Sequence, residues 1–137
     1  MHLTFFTDYG LRMLMRMASG PGYAFSTAEP ADEFDLSRNH LAKVMQHLSR
    51  AELIETRRGR GGGAVLALPA TDIRLGTVIR LLEEDQALVV CFHENGACTL
   101  DGRCALKRRL RSAEAAFFAD LDRSTLAGIA LAPLQFA

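Results

Sequence analysis

The segment that most constrains the fold reads Arg-Arg-Gly-Arg-Gly-Gly-Gly, from Arg57 to Gly63, and lies between two apolar runs. The runs, at residues 53–54 and 64–68, are typical of two strands joined by a turn. Glycines let a backbone approach a duplex closely, and arginines contact phosphates or enter the minor groove. The segment therefore predicts a β-hairpin wing, which the flanking apolar runs favour over a flexible loop.

An amphipathic helix precedes this hairpin. Ser37 is suited to cap its start, and an apolar stripe follows at the spacing of one helix face, formed by Leu41, Val44, Met45 and Leu48. The opposite face carries Asn39, Lys43, Gln46 and Arg50. A shorter helix beginning near Ser26 or Thr27, with Pro30 in its first turn, comes before it. The pattern predicts a helix-turn-helix with a recognition helix.

Charge and composition agree with a DNA-binding domain. The net charge is zero, but six basic and only two acidic residues lie between Leu36 and Gly63, as a phosphate-binding surface requires. Hydrophobic content of 49% and charged content of 23% are ordinary for a globular protein. No run approaches the roughly 18 apolar residues of a membrane span. No signal peptide is visible either, so we expect a cytoplasmic protein without membrane contact.

The long helix near the end of the chain is expected to mediate dimerisation. The segment from Thr4 to Ser19 is apolar on nearly all sides and needs partners on more than one face, either the rest of the domain or a second subunit. After a helix capped by Thr71 or Asp72, a long helix begins near Cys104 and has little of its own chain to pack on. The predicted fold is mainly α with a small β-hairpin wing. Its predicted parts are a winged helix-turn-helix domain (1–84), a cluster-binding loop (85–104) and a dimerisation helix with tail (105–137).

Cys91, Cys98 and Cys104 are the chain's only cysteines and have the spacing C-x6-C-x5-C. Disulfide pairing would leave one thiol over, and the paired knuckles of structural zinc sites are absent from the pattern. Three thiolates in one loop suit an iron–sulfur cluster, with zinc as the alternative metal. The candidates for a further ligand are His93, Glu94, Asp101 and Asp8, of which nearness in sequence favours His93 or Asp101.

Cys104 is placed at the start of the long helix, where the positive end of the helix dipole favours a thiolate. The same helix start would stabilise an anionic cluster. The basic residues that follow it, among them Lys107 and Arg111, are unusual for a first turn. Proximity to a cluster or to DNA phosphate would explain them, and simple exposure to solvent is the alternative.

Three motifs resemble one family of regulators across nearly the whole chain. They are TDYGLR at residues 7–12, LSRNHLAKV at 36–44 and RGRGGG at 58–63, followed by the three spaced cysteines. The chain resembles the iron–sulfur winged-helix transcription regulators typified by the nitric-oxide-sensing repressor NsrR and the cluster-assembly regulator IscR. The cluster-assembly group has a histidine ligand where this chain has Lys107. Asp8, Cys91-Phe92 and residues 116–126 instead resemble the NsrR group.

That resemblance implies a particular ligand set. Cys91, Cys98 and Cys104 of one subunit would hold a two-iron or four-iron cluster, together with Asp8 of the partner subunit. This changes the preferred further ligand from His93 to Asp8.

We therefore expect a homodimeric repressor, not an enzyme, that binds double-stranded operator DNA and loses affinity when nitric oxide nitrosylates its cluster. An iron- or redox-responsive regulator of the same fold is the nearest alternative, and an enzyme or electron carrier is a more distant one. The predicted DNA contacts in the major groove are Ser37, Arg38, Asn39, His40 and Lys43. Those to the backbone or minor groove are Arg57, Arg58 and Arg60.

Overall fold

The computed structural model describes residues 2–20, 24–58 and 63–132. Within these ranges the chain is mainly helical and has one two-stranded antiparallel sheet. The helices are α1 (Phe5–Ser19), α2 (Ala28–Phe34), α3 (Arg38–Arg50), α4 (Leu75–Leu82) and α5 (Ala105–Leu121), and the strands are β1 (Ile54–Arg57) and β2 (Gly63–Leu66). Short 3-10 turns lie at Ala70–Asp72, Val90–Phe92 and Leu126–Ile129. The predicted fold class, mainly α with a hairpin wing, is confirmed.

The helix-turn-helix consists of α2 and α3. Asp35 ends α2 in the left-handed conformation, with φ of 54°, and this turns the chain towards α3. The Ser37 hydroxyl accepts a hydrogen bond from the His40 amide at 3.5 Å, so Ser37 caps α3 as predicted. The predicted apolar stripe is the buried face of α3 and consists of Leu41, Val44, Met45 and Leu48.

The wing is a hairpin in which Ile54 pairs with Leu66 and Arg57 with Gly63. Phe25 extends the sheet by pairing with Ala64, through backbone hydrogen bonds of 2.9 and 2.7 Å. Gly63 has φ of 154°, and a Cβ there would lie 2.5 Å from the Phe25 carbonyl oxygen, so glycine is required. The hairpin prediction is confirmed, whereas its tip at 59–62 lies outside the described residues.

Helix α1 lies across α3, α4 and the wing, and its inner face is buried in the core. Its contact with α4 is close: a Cβ on Gly10 would lie 2.8 Å from Cδ1 of Leu82. The start of α4 differs from the prediction, since α4 begins at Leu75 after a 3-10 turn that holds both predicted caps. The Thr77 amide instead donates to Asp122 Oδ1 at 3.0 Å, so a distant carboxylate caps this helix.

Helix α5 begins after Cys104, as predicted, and none of its residues is buried in the single chain. It contacts α4, and after it the chain returns to the core, where Leu126 is fully buried. Backbone hydrogen bonds from Leu75 to Ser124 (3.1 Å) and from Leu126 to Ile73 (2.8 Å) attach this returning segment. Among the described residues no helix has both the length and the apolar character needed to cross a membrane.

Candidate DNA interface and cysteine site

The outward face of α3 presents the predicted major-groove residues to solvent. All five of them are exposed: Ser37, Arg38, Asn39, His40 and Lys43. An ion pair between Arg38 and Asp32 spans 3.8 Å with both side chains largely in solvent, so it holds the guanidinium weakly. Arg57 and Arg58 are exposed at the end of β1, whereas Arg60 lies outside the described residues.

The first turns of α1 pack against α3 beside this face. The Tyr9 ring lies 6.3 Å from the His40 ring, and Phe6 meets His47 edge-on at 5.4 Å between ring centroids. A cleft of about 230 Å³ lies between the two helices, lined by Phe5, Phe6, Tyr9, His40, Lys43 and Val44. A displacement of the first turns of α1 would therefore change the support of two α3 residues predicted to contact DNA, His40 and Lys43.

Asp8 lies in the first turn of α1. Its carboxylate forms an ion pair with Arg12 at 3.0 Å, one helical turn later, and its side chain is 46% exposed. A half-exposed carboxylate whose partner is an equally exposed arginine gains little from that pair. Asp8 is therefore accessible to a ligand or to another chain.

The three cysteines are free thiols on the segment that joins α4 to α5. Cys91 lies in the 3-10 turn at Val90–Phe92, and Cys98 is exposed in the following loop. Cys104 is the N-cap of α5, where its Sγ accepts a hydrogen bond from the Lys107 amide at 3.4 Å. A Cβ on Gly96 would lie 3.0 Å from the Cys91 Cα, so the loop folds back onto Cys91.

Basic side chains lie beside these thiols. Lys107 donates a hydrogen bond to Asp101 Oδ1 at 2.6 Å, which raises the pKa of Lys107 and lowers that of Asp101. A negative charge on Cys91 acts in the same direction on the pKa of Lys107, so the ammonium group lies near Cys91, whereas Cys104 is contacted by the backbone amide of Lys107. The Arg111 guanidinium stacks 4.1 Å above the Phe92 ring, next to Cys91.

The chemistry of this donor set fits an iron–sulfur cluster, because thiolates are its usual ligands and the flanking cations favour an anionic group. The single chain does not assemble a complete site: among the described residues no three His, Cys, Asp or Glu side chains lie together so as to hold a metal ion. Cys98 is the thiol that is exposed. The loop that carries it is formed by local turns, with backbone hydrogen bonds from Gly96 to His93 and from Asp101 to Cys98.

Sequence reasoning missed one polar residue near this segment. Glu83, at the end of α4, accepts hydrogen bonds from Thr4 and Thr7 at the start of α1. Its partners are 76 and 79 residues away in sequence, so no local pattern could have revealed the contact.

A recognition helix supported by neighbouring helices and followed by a two-stranded wing defines a DNA-binding protein of the winged-helix class. The family model described as "Iron-dependent Transcriptional regulator" matches residues 3–131, and the chain thus belongs to the Rrf2 family of transcription regulators. Members of this family regulate transcription.

Solved structures agree with this assignment. CymR of Staphylococcus aureus is 29% identical with a TM-score of 0.72, over 93% of this chain and 96% of that one. CymR of B. subtilis, described as its global cysteine regulator, is 26% identical with a TM-score of 0.76, over 95% and 96% of the two chains. IscR of T. potens, at 24% identity and a TM-score of 0.76 over 94% and 85%, shares the fold.

Proposed function

We propose that this chain is a homodimeric iron–sulfur repressor that senses nitric oxide and then releases its operator. The observation that carries the proposal is the group of free thiols, Cys91, Cys98 and Cys104, between the winged helix and α5 of an iron-dependent regulator. The basic side chains near Cys91 suit an anionic cluster better than a neutral one. The resemblance of Asp8, Cys91-Phe92 and residues 116–126 to the NsrR group supports nitric oxide as the signal.

The distribution of exposed apolar side chains supports a dimer. Phe5 is 80% exposed, Val90 73% and Leu106 64%, and Leu3 and Leu100 are also exposed. They lie at the start of α1 and around the cysteine segment, the two regions that the proposed ligand set would bring together across two chains. Burial of each large side chain contributes roughly 1.5–3 kcal/mol, so these residues favour association through these regions.

The proposed site takes three thiolates from one chain and the carboxylate of the partner's Asp8. A cluster held there by these residues would supply iron, the atom with which nitric oxide would react. For this role Asp8 would exchange its half-exposed ion pair with Arg12, 3.0 Å long in the single chain, for a contact with the other subunit. Because Tyr9 follows Asp8 and contacts His40 on α3, the exchange changes the support of the recognition helix and weakens DNA binding.

The test begins with anaerobically purified protein, in which iron, sulfide and zinc are counted per chain. We expect matched iron and sulfide, and an affinity for DNA that falls on titration with nitric oxide. The probe is a duplex selected from a random-sequence pool on the metal-loaded protein. Asp8→Asn should lose the response, whereas Asp72→Asn, which removes the same charge at an exposed position outside the cysteine segment, should keep it. Zinc in place of iron, even after anaerobic reconstitution, would contradict the sensor mechanism.

The family description favours a second candidate, a regulator of the same fold that responds to iron supply. In that case the cysteines would be loaded or empty according to available iron, and nitric oxide would not be the signal. Parallel dose–response curves for nitric oxide and for an iron chelator separate the two. If the chelator releases DNA and nitric oxide has no effect, the result would favour the iron-responsive regulator.

A further inference from the structure

Glu83 connects the end of α4 to the start of α1. Its Oε1 accepts hydrogen bonds from the Thr4 amide at 2.7 Å, from the Thr4 hydroxyl at 2.9 Å and from the Thr7 hydroxyl. Thr7 is fully buried, so its hydroxyl depends on partners within the protein. Leu82, the preceding residue, lies against Gly10 of α1. Together these contacts fix the position of the first turns of α1 on α4.

The carboxylate also stabilises the helix start that it contacts. Thr4 caps α1 by accepting a hydrogen bond from the Thr7 amide at 3.2 Å, and Glu83 adds a negative charge at the positive end of that helix. Burial raises the pKa of Glu83, but the hydrogen bonds from Thr7 and Thr4 outweigh burial and hold the pKa below its ordinary value. Glu83 is thus an ionised residue held in a defined place.

The position of Glu83 in the chain gives these contacts a further consequence. Glu83 ends α4, and a turn closed by a 2.8 Å hydrogen bond from the Gln86 amide to the Glu83 carbonyl opens the segment that leads to Cys91. This turn joins the backbone of Glu83 directly to the start of the segment that carries the cysteines. On the other side of the contact, Thr7 is followed by Asp8 and then by Tyr9, whose ring lies beside His40.

We propose that Glu83 is a positioning residue that couples the cysteine segment to the recognition helix through the first turns of α1. The inference rests on the proposed function, because it concerns how a change at the cysteines reaches the DNA. If Glu83 only stabilised the fold, its loss would reduce the DNA affinity of the metal-loaded and the metal-free protein by the same factor. A coupling residue instead changes the ratio of their DNA affinities.

The experiment compares Glu83→Gln and Thr7→Val with the wild type, and uses Asp72→Asn, at an exposed position outside the cysteine segment, as a control for charge. Thr7→Val keeps the shape of the side chain but removes the hydroxyl, and Thr7→Ser restores a hydroxyl. Two quantities are measured for each protein. They are the hydrogen-exchange rates of the first α1 amides without metal, and the ratio of metal-loaded to metal-free affinity for the duplex selected on the loaded protein.

Exchange at the start of α1 should become about tenfold faster in Glu83→Gln and Thr7→Val, as expected when a hydrogen bond to a charged group is lost. The affinity ratio should fall towards one in both variants, and Thr7→Ser should restore most of it. Unchanged hydrogen-exchange rates, or a wild-type affinity ratio in both variants, would overturn the proposed role of Glu83 but would leave the proposed function standing. Equal affinities of the loaded and metal-free wild type would overturn the proposed function, and the coupling with it.

Discussion

Gly76 offers a direct test of how α5 is attached to the winged-helix domain. It is the second residue of α4 and lies against the end of α5. A Cβ at this position would lie 2.6 Å from the Phe118 carbonyl oxygen and would also collide with the carboxylate of Asp122. Since the Phe118 oxygen belongs to helical backbone, it cannot rotate away. We therefore expect Gly76→Ala to push the two helices apart.

The magnitude follows from three contributions. Insertion of one methyl group into a close contact costs typically about 1–3 kcal/mol. Displacement of Asp122 also weakens its hydrogen bonds from Thr77 (3.0 Å) and Arg80 (3.1 Å), which we count as about 1 kcal/mol because they are partly exposed. Alanine is a better helix former than glycine by about 1 kcal/mol, which offsets part of the loss. The free energy of unfolding should fall by roughly 2 kcal/mol.

Urea unfolding of the metal-free protein measures this change. Gly128→Ala is the matched control, because a Cβ at Gly128 has nothing within 4 Å, and its free energy of unfolding should change by less than about 0.5 kcal/mol. In sedimentation experiments Gly76→Ala should also weaken self-association, because α5 is the proposed dimer helix. If Gly76→Ala unfolds at the same urea concentration as the control, the contact between α4 and α5 is not as described.

Three further outcomes are expected. Lys43→Ala should reduce the slope of log affinity against log salt by about 0.9 if Lys43 contacts one phosphate, and an unchanged slope would argue against that contact. Cys104→Ser should lose iron on analysis, while urea unfolding of the metal-free protein changes by less than about 1 kcal/mol because serine also caps helices. The Glu83 contribution to stability should be present above pH 4.5, the ordinary pKa of the group, and be lost as pH falls through the lowered folded value. Unfolding of Glu83→Gln across this range should therefore depend less on pH, and an equal dependence would contradict the assignment.

The helix-turn-helix and the wing could be predicted because local patterns determine them. The buried stripe of α3 repeats at helical spacing, and Ser37 lies where a cap is needed. The two apolar runs on either side of the glycines pair in a single hairpin register. Such elements need only a few neighbouring residues to be recognised.

The start of α4 could not be predicted in the same way, because its cap is not local. Thr71 and Asp72 are residue types that cap helices, yet both lie before Leu75 in a 3-10 turn. The capping carboxylate comes from Asp122, 45 residues beyond Thr77. A distant residue that satisfies the free amides of a helix leaves no signal near the helix itself.

The cysteine site is predictable in composition but not in geometry. The sequence supplies three thiols, and the structure leaves all three free, with Cys104 at the start of α5 as expected. The described part of one chain does not complete a metal site, and a site shared with Asp8 of the partner subunit would be complete only in a dimer. The ligand set therefore stays a prediction that requires the loaded dimer for its test.

The first turns of α1 are the place where sensing and DNA reading would meet. Thr7 is buried against Glu83, Asp8 is half-exposed beside Arg12, and the Tyr9 ring lies beside His40. Consecutive helical residues point about 100° apart, so three neighbours in the sequence face three different surroundings. If Asp8 shifts towards the partner's cysteines together with its helical turn, the contacts at Thr7 and Tyr9 change as well. The same geometry explains how a ligand exchange at the surface would alter the support of α3 without a large rearrangement of the core.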